Sequence, residues 1–382
     1  MKKGWIVLLV MALIPLCAGA TEFSFKGEMR TRMSLFTDTE ETGMGGADEI
    51  SKIDSRIRFY TKAIYSEAAA FTLGIEIGDF DWGREGHNKD EKIIEVKHAY
   101  MDLTPDFSRS MKFRLGLQGY KDLFGQAIFD EDAAGLLFMP EMTKVQLRTG
   151  FFILSDDEAK ENTDNSRTLA LVDAAFQSGA ATWKGALYYD DARHEAATLY
   201  LAGGGDFQLD SLGFGAQAVY MTRSFHEEGL DNISGLFAHF YTRFKKDKFT
   251  VQAQLGYSPA GENDYFEGIE EYADLYGLEY AYKGSVYDGQ NLLSSYGGEA
   301  GQMVLALNLA YDFLFANAGL IRATRDDLEE KALGTEFDLG FKASLTEKVD
   351  FTGVYALFMP GKAFGEYDKT AHELATQLKF KF

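Results

Sequence analysis

The chain has 382 residues and a formal net charge of −21 at pH 7. This charge argues against nucleic acid as a partner, because binding a phosphate backbone requires a basic surface. Cys17 is the only cysteine and lies in the predicted leader described next. The mature chain should therefore contain no disulfide bond and no cysteine-ligated metal, and we expect neither a metal nor a cofactor.

The first twenty residues have the composition of a secretory signal peptide. Lys2 and Lys3 precede an apolar stretch over residues 5–16, and small residues follow at 18–20. The apolar stretch is too short for a permanent membrane helix. Leu16 does not suit lipid attachment at the following cysteine. We expect residues 1–20 to be removed and residues 21–382 to form one domain, since no linker divides them.

Apolar and polar residues alternate along many segments of the mature chain. In the last segment Leu374, Leu378 and Phe380 share one face, and Glu373 and Gln377 share the other. A strand between lipid and water requires this period of two. No run after residue 16 reaches the roughly 18 to 20 apolar residues of a membrane helix. The same alternation occurs at residues 23–35, 53–59, 303–311 and 337–345.

The connections between these segments alternate in length. Short turns are predicted at residues 66–68, 104–109, 141–142, 178–180, 209–211, 245–247, 312–314 and 346–348. Long connections are predicted at 37–49, 81–90, 119–132, 156–165, 191–194, 223–231, 258–300, 324–332 and 360–370. Tight periplasmic turns and longer external loops have this pattern in membrane barrels. The sequence therefore predicts an all-β fold, a transmembrane antiparallel up-and-down β-barrel of about eighteen strands, with sixteen as the second choice.

The chain ends on an aromatic residue that continues the alternation. Phe382 follows Phe380 and Leu378 on the same face. This ending resembles the C-terminal assembly signal of bacterial outer-membrane barrels. The resemblance implies a protein of the outer membrane that contacts its lipid and is recognised by the barrel-assembly machinery through the terminal phenylalanine.

A second resemblance concerns two short motifs. Arg114, Gly116 and Gln118 precede a long loop, and residues 358–361 (Phe-Met-Pro-Gly) lie at the last external connection. These motifs resemble those of the alginate-export family of porin-like channels. That family implies an eighteen-stranded barrel with a basic pore that passes an acidic sugar polymer. The clean Gly-Arg-Gln triplet of the family is absent from this sequence.

Basic residues are concentrated at the predicted lumen-facing positions of the first seven strands. Neighbouring strands lie about 4.8 Å apart, so these side chains should gather on one wall and attract anions. The alternative is that Glu28, Asp54, Glu76 and Glu95 pair with them and only brace the wall. The predicted pore-lining residues are Lys26, Arg30, Arg32, Arg56, Arg58, Lys62, Lys97, Lys112, Arg114 and Arg148.

Two long connections have distinctive compositions. Residues 119–132 combine aromatic and acidic side chains and are predicted to fold inward and narrow the pore opposite the basic wall, the alternative being an exposed loop. Residues 258–300 are acidic and rich in tyrosine, and the interpretation as a solvated acidic loop is preferred over a lid or a site for divalent cations. The predicted constriction residues are Tyr120, Phe124, Asp130, Glu131 and Asp132.

No arrangement of residues indicates catalysis. The six histidines lie apart from any nucleophile-elbow serine motif and lack the paired spacing of a zinc site. We therefore expect a channel and not an enzyme.

The expected function is passive diffusion of small, anionic solutes, such as acidic sugars or organic acids, past a basic wall. The alternative is a barrel that serves as a scaffold or sheath for a periplasmic or outer-membrane partner, such as an electron-transfer cytochrome.

Overall fold

The computed structural model describes residues 22–37, 49–82, 94–155, 166–193, 195–227, 229–269, 275–282, 286, 298–364 and 369–382. The predicted signal peptide lies outside the described residues, so its removal stays a prediction. Within the described ranges, no helix is both long and apolar enough to cross a membrane.

Eighteen antiparallel strands are present among the described residues and form one sheet, in which strands adjacent in sequence pair with each other. The first strand pairs with both the second and the last, so the sheet closes into a barrel. The prediction of eighteen strands is confirmed, and the second choice of sixteen is wrong. The strands are β1 Glu22–Thr37, β2 Glu49–Ser66, β3 Ala69–Asp81, β4 Ile94–Leu103, β5 Phe113–Lys121, β6 Asp130–Phe138, β7 Val145–Ser155, β8 Arg167–Ser178, β9 Ala181–Ala192, β10 Ala196–Leu209, β11 Leu212–Phe225, β12 Ile233–Lys246, β13 Phe249–Ser258, β14 Gln302–Tyr311, β15 Leu314–Arg322, β16 Ala332–Thr346, β17 Val349–Pro360 and β18 Ala371–Lys381.

The two faces of each strand meet different surroundings. On β1 the apolar side chains of Phe25 and Leu35 are exposed on the outer face, whereas Arg30 on the inner face is buried. On β18 Leu378 is exposed outside and Glu373 is buried inside. A closed barrel satisfies all its backbone hydrogen bonds between strands, so an apolar outer belt of this kind suits the hydrocarbon of a bilayer.

The turns lie close to their predicted positions. The short turns between β2 and β3, β8 and β9, and β10 and β11 contain two residues each and lie within the predicted ranges 66–68, 178–180 and 209–211. The largest deviation is at the predicted connection 119–132, where the observed loop spans only residues 122–129. β5 and β6 are longer than predicted because Asp130, Glu131 and Asp132 pair with Lys121, Tyr120 and Gly119.

The C-terminal residue lies at the seam where the barrel closes. The backbone N–H of Gly27 donates to the carbonyl of Phe382 at 2.8 Å, and the N–H of Phe382 donates back at 3.0 Å. The Phe382 ring covers Gly27 closely: a Cβ atom at that glycine would lie 2.5 Å from the ring. The ring centroid is 5.8 Å from that of Phe59. Recognition of Phe380 and Phe382 by assembly machinery stays a prediction.

Candidate functional site: the lumen of the barrel

The loop between β5 and β6, residues 122–129, folds into the barrel. Phe124, Ile128 and Phe129 are fully buried and pack in one apolar cluster with inner-face residues of β7 to β12, including Phe152 and Tyr188. Burying each phenylalanine contributes about 2 kcal/mol, which favours the inward conformation over an exposed loop. The predicted constriction residues Tyr120 and Phe124 therefore lie inside the barrel.

Asp122 shapes this loop. Its carboxylate accepts hydrogen bonds from the backbone N–H groups of Phe124 (2.6 Å), Gln126 (3.0 Å), Ile128 (2.6 Å) and Phe129 (2.9 Å). Burial raises the pKa of the Asp122 carboxyl, and the donated hydrogen bonds oppose this shift. Because backbone donors away from water need acceptors, this one side chain fixes the loop conformation.

A second segment folds inward from the connection between β13 and β14. Residues 275–282, here called the inner strap, lie against the inner faces of β14 to β18, and Tyr276, Leu278 and Tyr280 are almost fully buried. The preferred interpretation of residues 258–300 as a solvated acidic loop is wrong for this part. Alternating aromatic and apolar side chains give the strap a face that is buried against the wall. Residues 270–274, 283–285 and 287–297 lie outside the described residues.

Amide side chains of the wall hold the strap by its backbone. Gln254 Nε2 donates to Asn308 Oδ1 at 2.7 Å, which orients the Asn308 amide. Asn308 Nδ2 then donates to the carbonyl of Tyr276 at 2.7 Å, and Asn317 Nδ2 donates to the carbonyl of Gly277 at 2.6 Å. These contacts recognise main-chain atoms.

Carboxylates of β16 accept from the strap. Glu336 accepts from the N–H groups of Tyr280 at 2.7 Å and Ala281 at 2.8 Å, one on each oxygen. Asp338 accepts from the N–H of Glu279 at 3.3 Å. Glu336 and Asp338 are therefore engaged in binding a loop. Among the described residues, no group of three or more His, Cys, Asp or Glu side chains is placed to hold a metal ion.

Burial keeps the hydroxyl groups of two strap tyrosines protonated. Burial raises the pKa of the Tyr276 and Tyr282 hydroxyls. Tyr282 donates to Gln302 Oε1 at 2.7 Å, which ties the C-terminal end of the strap to β14.

Cationic side chains occupy the opposite part of the lumen, the inner face of β1 to β7, here called the basic wall. Most of them lie beside a carboxylate on the same or a nearby strand. The bracing pairs expected of Asp54 and Glu76 are therefore present. The pairs are Arg30 with Asp79 (2.9 Å), Arg32 with Asp54 (2.9 Å), Arg56 with Glu76 (3.7 Å), Arg58 with Glu76, Lys97 with Asp132 (3.2 Å), Arg114 with Asp102 (2.7 Å) and Arg148 with Asp173 (2.7 Å).

Three predicted pore-lining lysines lie away from the others. Lys26 and Lys62 are near the short-turn end of the barrel, and the ammonium group of Lys26 lies 5.6 Å from the centroid of the Tyr60 ring. Lys112 lies in the turn before β5 and pairs with Glu141, so it is on the rim and outside the strands.

Four of the seven other predicted pore-lining residues border a cavity of about 680 Å³ in the lumen, whereas Arg32, Arg114 and Arg148 do not line it. Arg30, Arg56, Arg58 and Lys97 line it. Tyr120 also lines it, although its hydroxyl is bonded to Asp173. The geometry of this cavity permits a small anion to contact several cations at once.

The acidic residues predicted to face the basic wall lie beside it instead. Asp130, Glu131 and Asp132 belong to β6, and they line the same cavity as the arginines. Asp132 pairs with Lys97 and His98, and Asp130 pairs with Lys121. The prediction placed them opposite because it assigned them to the loop, whereas their strand pairing fixes them to this wall.

Comparison with solved structures identifies the fold. Pseudomonas aeruginosa OccK9 (OpdG) aligns with a TM-score of 0.66 at 10% identity, covering 95% of this chain and 99% of that one. Acinetobacter baumannii OccAB4 gives 0.63 at 10% identity, covering 95% and 98%. The P. aeruginosa outer membrane protein opdK gives 0.60 at 10%, covering 94% and 99%. The chain has the fold of an outer-membrane porin.

The two comparisons at the level of sequence found no match. No model of a known protein family matches the chain, and no curated protein matches it. The resemblance to the alginate-export family therefore finds no support.

Several residues of the lumen were not predicted from the sequence. Asp122 and Arg167 are examples: Arg167 extends the row of ion pairs to β8 by binding Asp190 at 2.7 Å. Arg167 shares its face of β8 with the buried, apolar Leu169 and Leu171, so the period of two does not identify it. Asp122 has no sequence signal either, because its role depends on four backbone groups of a folded loop.

Proposed function

We propose that this protein is an outer-membrane channel for passive diffusion of small anionic solutes such as acidic sugars or organic acids. Transport, and not catalysis, is the function that a porin fold with a polar lumen supports. The observation that supports anion preference is the cavity in which Arg30, Arg56, Arg58 and Lys97 meet. A narrow, low-dielectric passage strengthens the field of such a group and raises the local anion concentration.

The ion pairs of the basic wall do not cancel this field evenly. The Arg58 side chain is 27% exposed and its partner Glu76 only 7%. The same asymmetry holds for Arg148 and Asp173, at 14% and 0%. The pair of Arg30 with Asp79 is reversed, at 6% and 34%. At the first two pairs the cation lies nearer the lumen than its carboxylate, which favours selectivity over bracing alone.

The test is ion selectivity in planar bilayers. We expect the double variant Arg56→Glu/Arg58→Glu to shift the reversal potential in a potassium chloride gradient toward cations, because both groups line the cavity. The neutral variant Arg56→Gln/Arg58→Gln should shift it less and in the same direction. It also guards against misfolding caused by added carboxylates.

A matched control reverses two charges elsewhere. Lys245 and Lys246 are exposed beside the short turn after β12, so Lys245→Glu/Lys246→Glu should leave the reversal potential near the wild-type value. Equal selectivity in the wild type and in the Arg56/Arg58 variants would show that the arginines only brace the wall.

The alternative of a sheath for a threaded partner needs a wide, open lumen. Residues 122–129 and the inner strap both fold into the barrel. They also lie against each other, since a Cβ atom at Gly125 of the loop would lie 2.5 Å from Leu275 of the strap. This filling favours a solute channel over a sheath. Conduction by the purified barrel without a copurified partner is the expected result.

A further inference from the structure

A second cavity lies on the wall that holds the strap. Its volume is about 380 Å³, within the range of small-molecule sites. Inner-face residues of β13 to β17 form its floor, and Leu275 and Gly277 of the strap cover part of it. It is separate from the cavity of the basic wall, since the two share no lining residue.

Lys342 is the charged residue of this cavity. Its side chain is on the inner face of β16 and exposed, and it forms no ion pair with any described residue. Asp350 is near enough to interact with it electrostatically, but the Asp350 oxygens accept from Ser344 at 2.8 Å and from Lys381 at 2.7 Å. A solute anion can therefore approach Lys342 without displacing a carboxylate, in contrast to the arginines of the basic wall.

Uncharged polar groups surround the lysine. Gln252 accepts from Arg243 Nε at 2.6 Å through its Oε1 atom, and its NH₂ group makes no hydrogen bond with the described residues. The hydroxyl groups of Thr250 and Thr352 also line the cavity. These groups offer donors and acceptors for hydroxyl groups of a solute, and Arg243 fixes the orientation of the Gln252 amide.

The rest of the lining is rigid and partly apolar. The amides of Asn308 and Asn317 are bound to the strap, so they form a fixed floor. The Phe315 ring and the Leu275 side chain provide apolar surface that suits the C–H groups of a sugar-like chain.

We infer that this cavity is a binding subsite for a polyhydroxylated carboxylate, in which Lys342 binds the carboxylate and Gln252 with the two threonines binds hydroxyl groups. This inference rests on the proposed anion channel and names the class of anion. The strap covers the subsite, so a bound solute lies between the strap and the wall.

The test compares two anions in planar bilayers containing the full mature barrel. Gluconate carries hydroxyl groups, and hexanoate has a chain of the same carbon number without them. Each is added to a chloride solution, and the concentration that half-blocks the chloride current is measured. We expect the wild type to be blocked by gluconate at lower concentration than by hexanoate.

Two variants separate the contribution of the lysine charge from that of the polar amide to solute binding. Lys342→Gln should raise the half-blocking concentration of gluconate by about threefold, as expected for one exposed charge. Gln252→Leu should raise the half-blocking concentration of gluconate and leave that of hexanoate unchanged. The control is Lys246→Gln, since Lys246 is an exposed lysine without an ion pair among the described residues and lies outside the cavity. It should behave as the wild type.

The outcomes separate the two proposals. A wild-type barrel without preference for chloride over potassium overturns the anion channel and the subsite together. A barrel that prefers chloride overturns the subsite alone if Lys342→Gln and Lys246→Gln bind gluconate equally, or if gluconate and hexanoate block equally.

Discussion

The basic wall and the wall that holds the strap use charged residues differently. On the basic wall, arginines bind carboxylates of the same wall, and at Arg58 and Arg148 the cation remains the more exposed partner. On the strap wall, formed by β13 to β18, the carboxylates of Glu336 and Asp338 bind backbone N–H groups of a loop. The comparison shows two uses of charged side chains in this barrel. On the basic wall the arginines face the solute path, and on the strap wall the carboxylates hold the strap that narrows this path.

The largest expected effect comes from displacing the strap without changing its sequence. The strap lies over glycines: a Cβ atom at Gly256 would be 1.8 Å from the Tyr276 hydroxyl, and one at Gly319 would be 2.3 Å from Leu278 Cδ1. We expect Gly256→Val/Gly319→Val to expel the strap and raise single-channel conductance severalfold, because the lumen widens.

The control for that prediction is Gly203→Val. Gly203 is exposed on β10, and no atom lies within 4 Å of a Cβ built there. Its conductance should match the wild type. Unchanged conductance in the double valine variant would show that the strap does not limit ion flow.

A smaller effect, a loss of stability, is expected from a change in the loop of residues 122–129, which packs on β7 to β12. Asp122→Ala removes the acceptor of four backbone N–H groups, so we expect the free energy of unfolding to fall by about 3 kcal/mol. Urea unfolding of the barrel in lipid vesicles measures this loss. The exposed turn residue Asp106 serves as the control, and Asp106→Ala should change stability by less than about 0.5 kcal/mol. Equal stabilities would contradict the role of Asp122.

Removing one carboxylate from the strap wall should lower the free energy of unfolding by less than Asp122→Ala does. Glu336→Ala leaves two buried N–H groups without acceptors, and we expect a loss of about 2 kcal/mol in the same unfolding assay. Glu336→Gln keeps one acceptor oxygen and should lose less. Glu347→Ala, in the exposed turn after β16, provides the matched control. A loss in the control equal to that at Glu336 would refute the contact with the strap.

The smallest expected effect is that of salt concentration on ion selectivity. The Debye length falls from about 10 Å at 0.1 M to about 3 Å at 1 M, so the field of the basic wall is screened more strongly. We expect the chloride preference measured by reversal potential at a fixed concentration ratio to decrease as the mean salt concentration rises. A preference independent of salt would point to size selection in place of charge.

Much of the barrel was predictable because its determinants are local. The alternation of Leu374, Leu378 and Phe380 with Glu373 predicts which face of β18 meets lipid, and the structure agrees. The candidate site was predictable only in part. Arg30, Arg56 and Arg58 do meet in one cavity, but their pairing with Glu76 and Asp79 depends on the register of β2 and β3.

The sequence alone determined the strand number, the position of the turns and the outward face, because a period of two is a property of neighbouring residues. The tertiary structure decided which wall each long connection covers and which charges remain free to meet a solute. Those contacts join distant parts of the chain: Arg32 Nη1 donates to the carbonyl of Val286, 254 residues away, at 3.4 Å. Residue order contains no periodic signal for such a contact, because it depends on the burial of aromatic side chains once the barrel has closed.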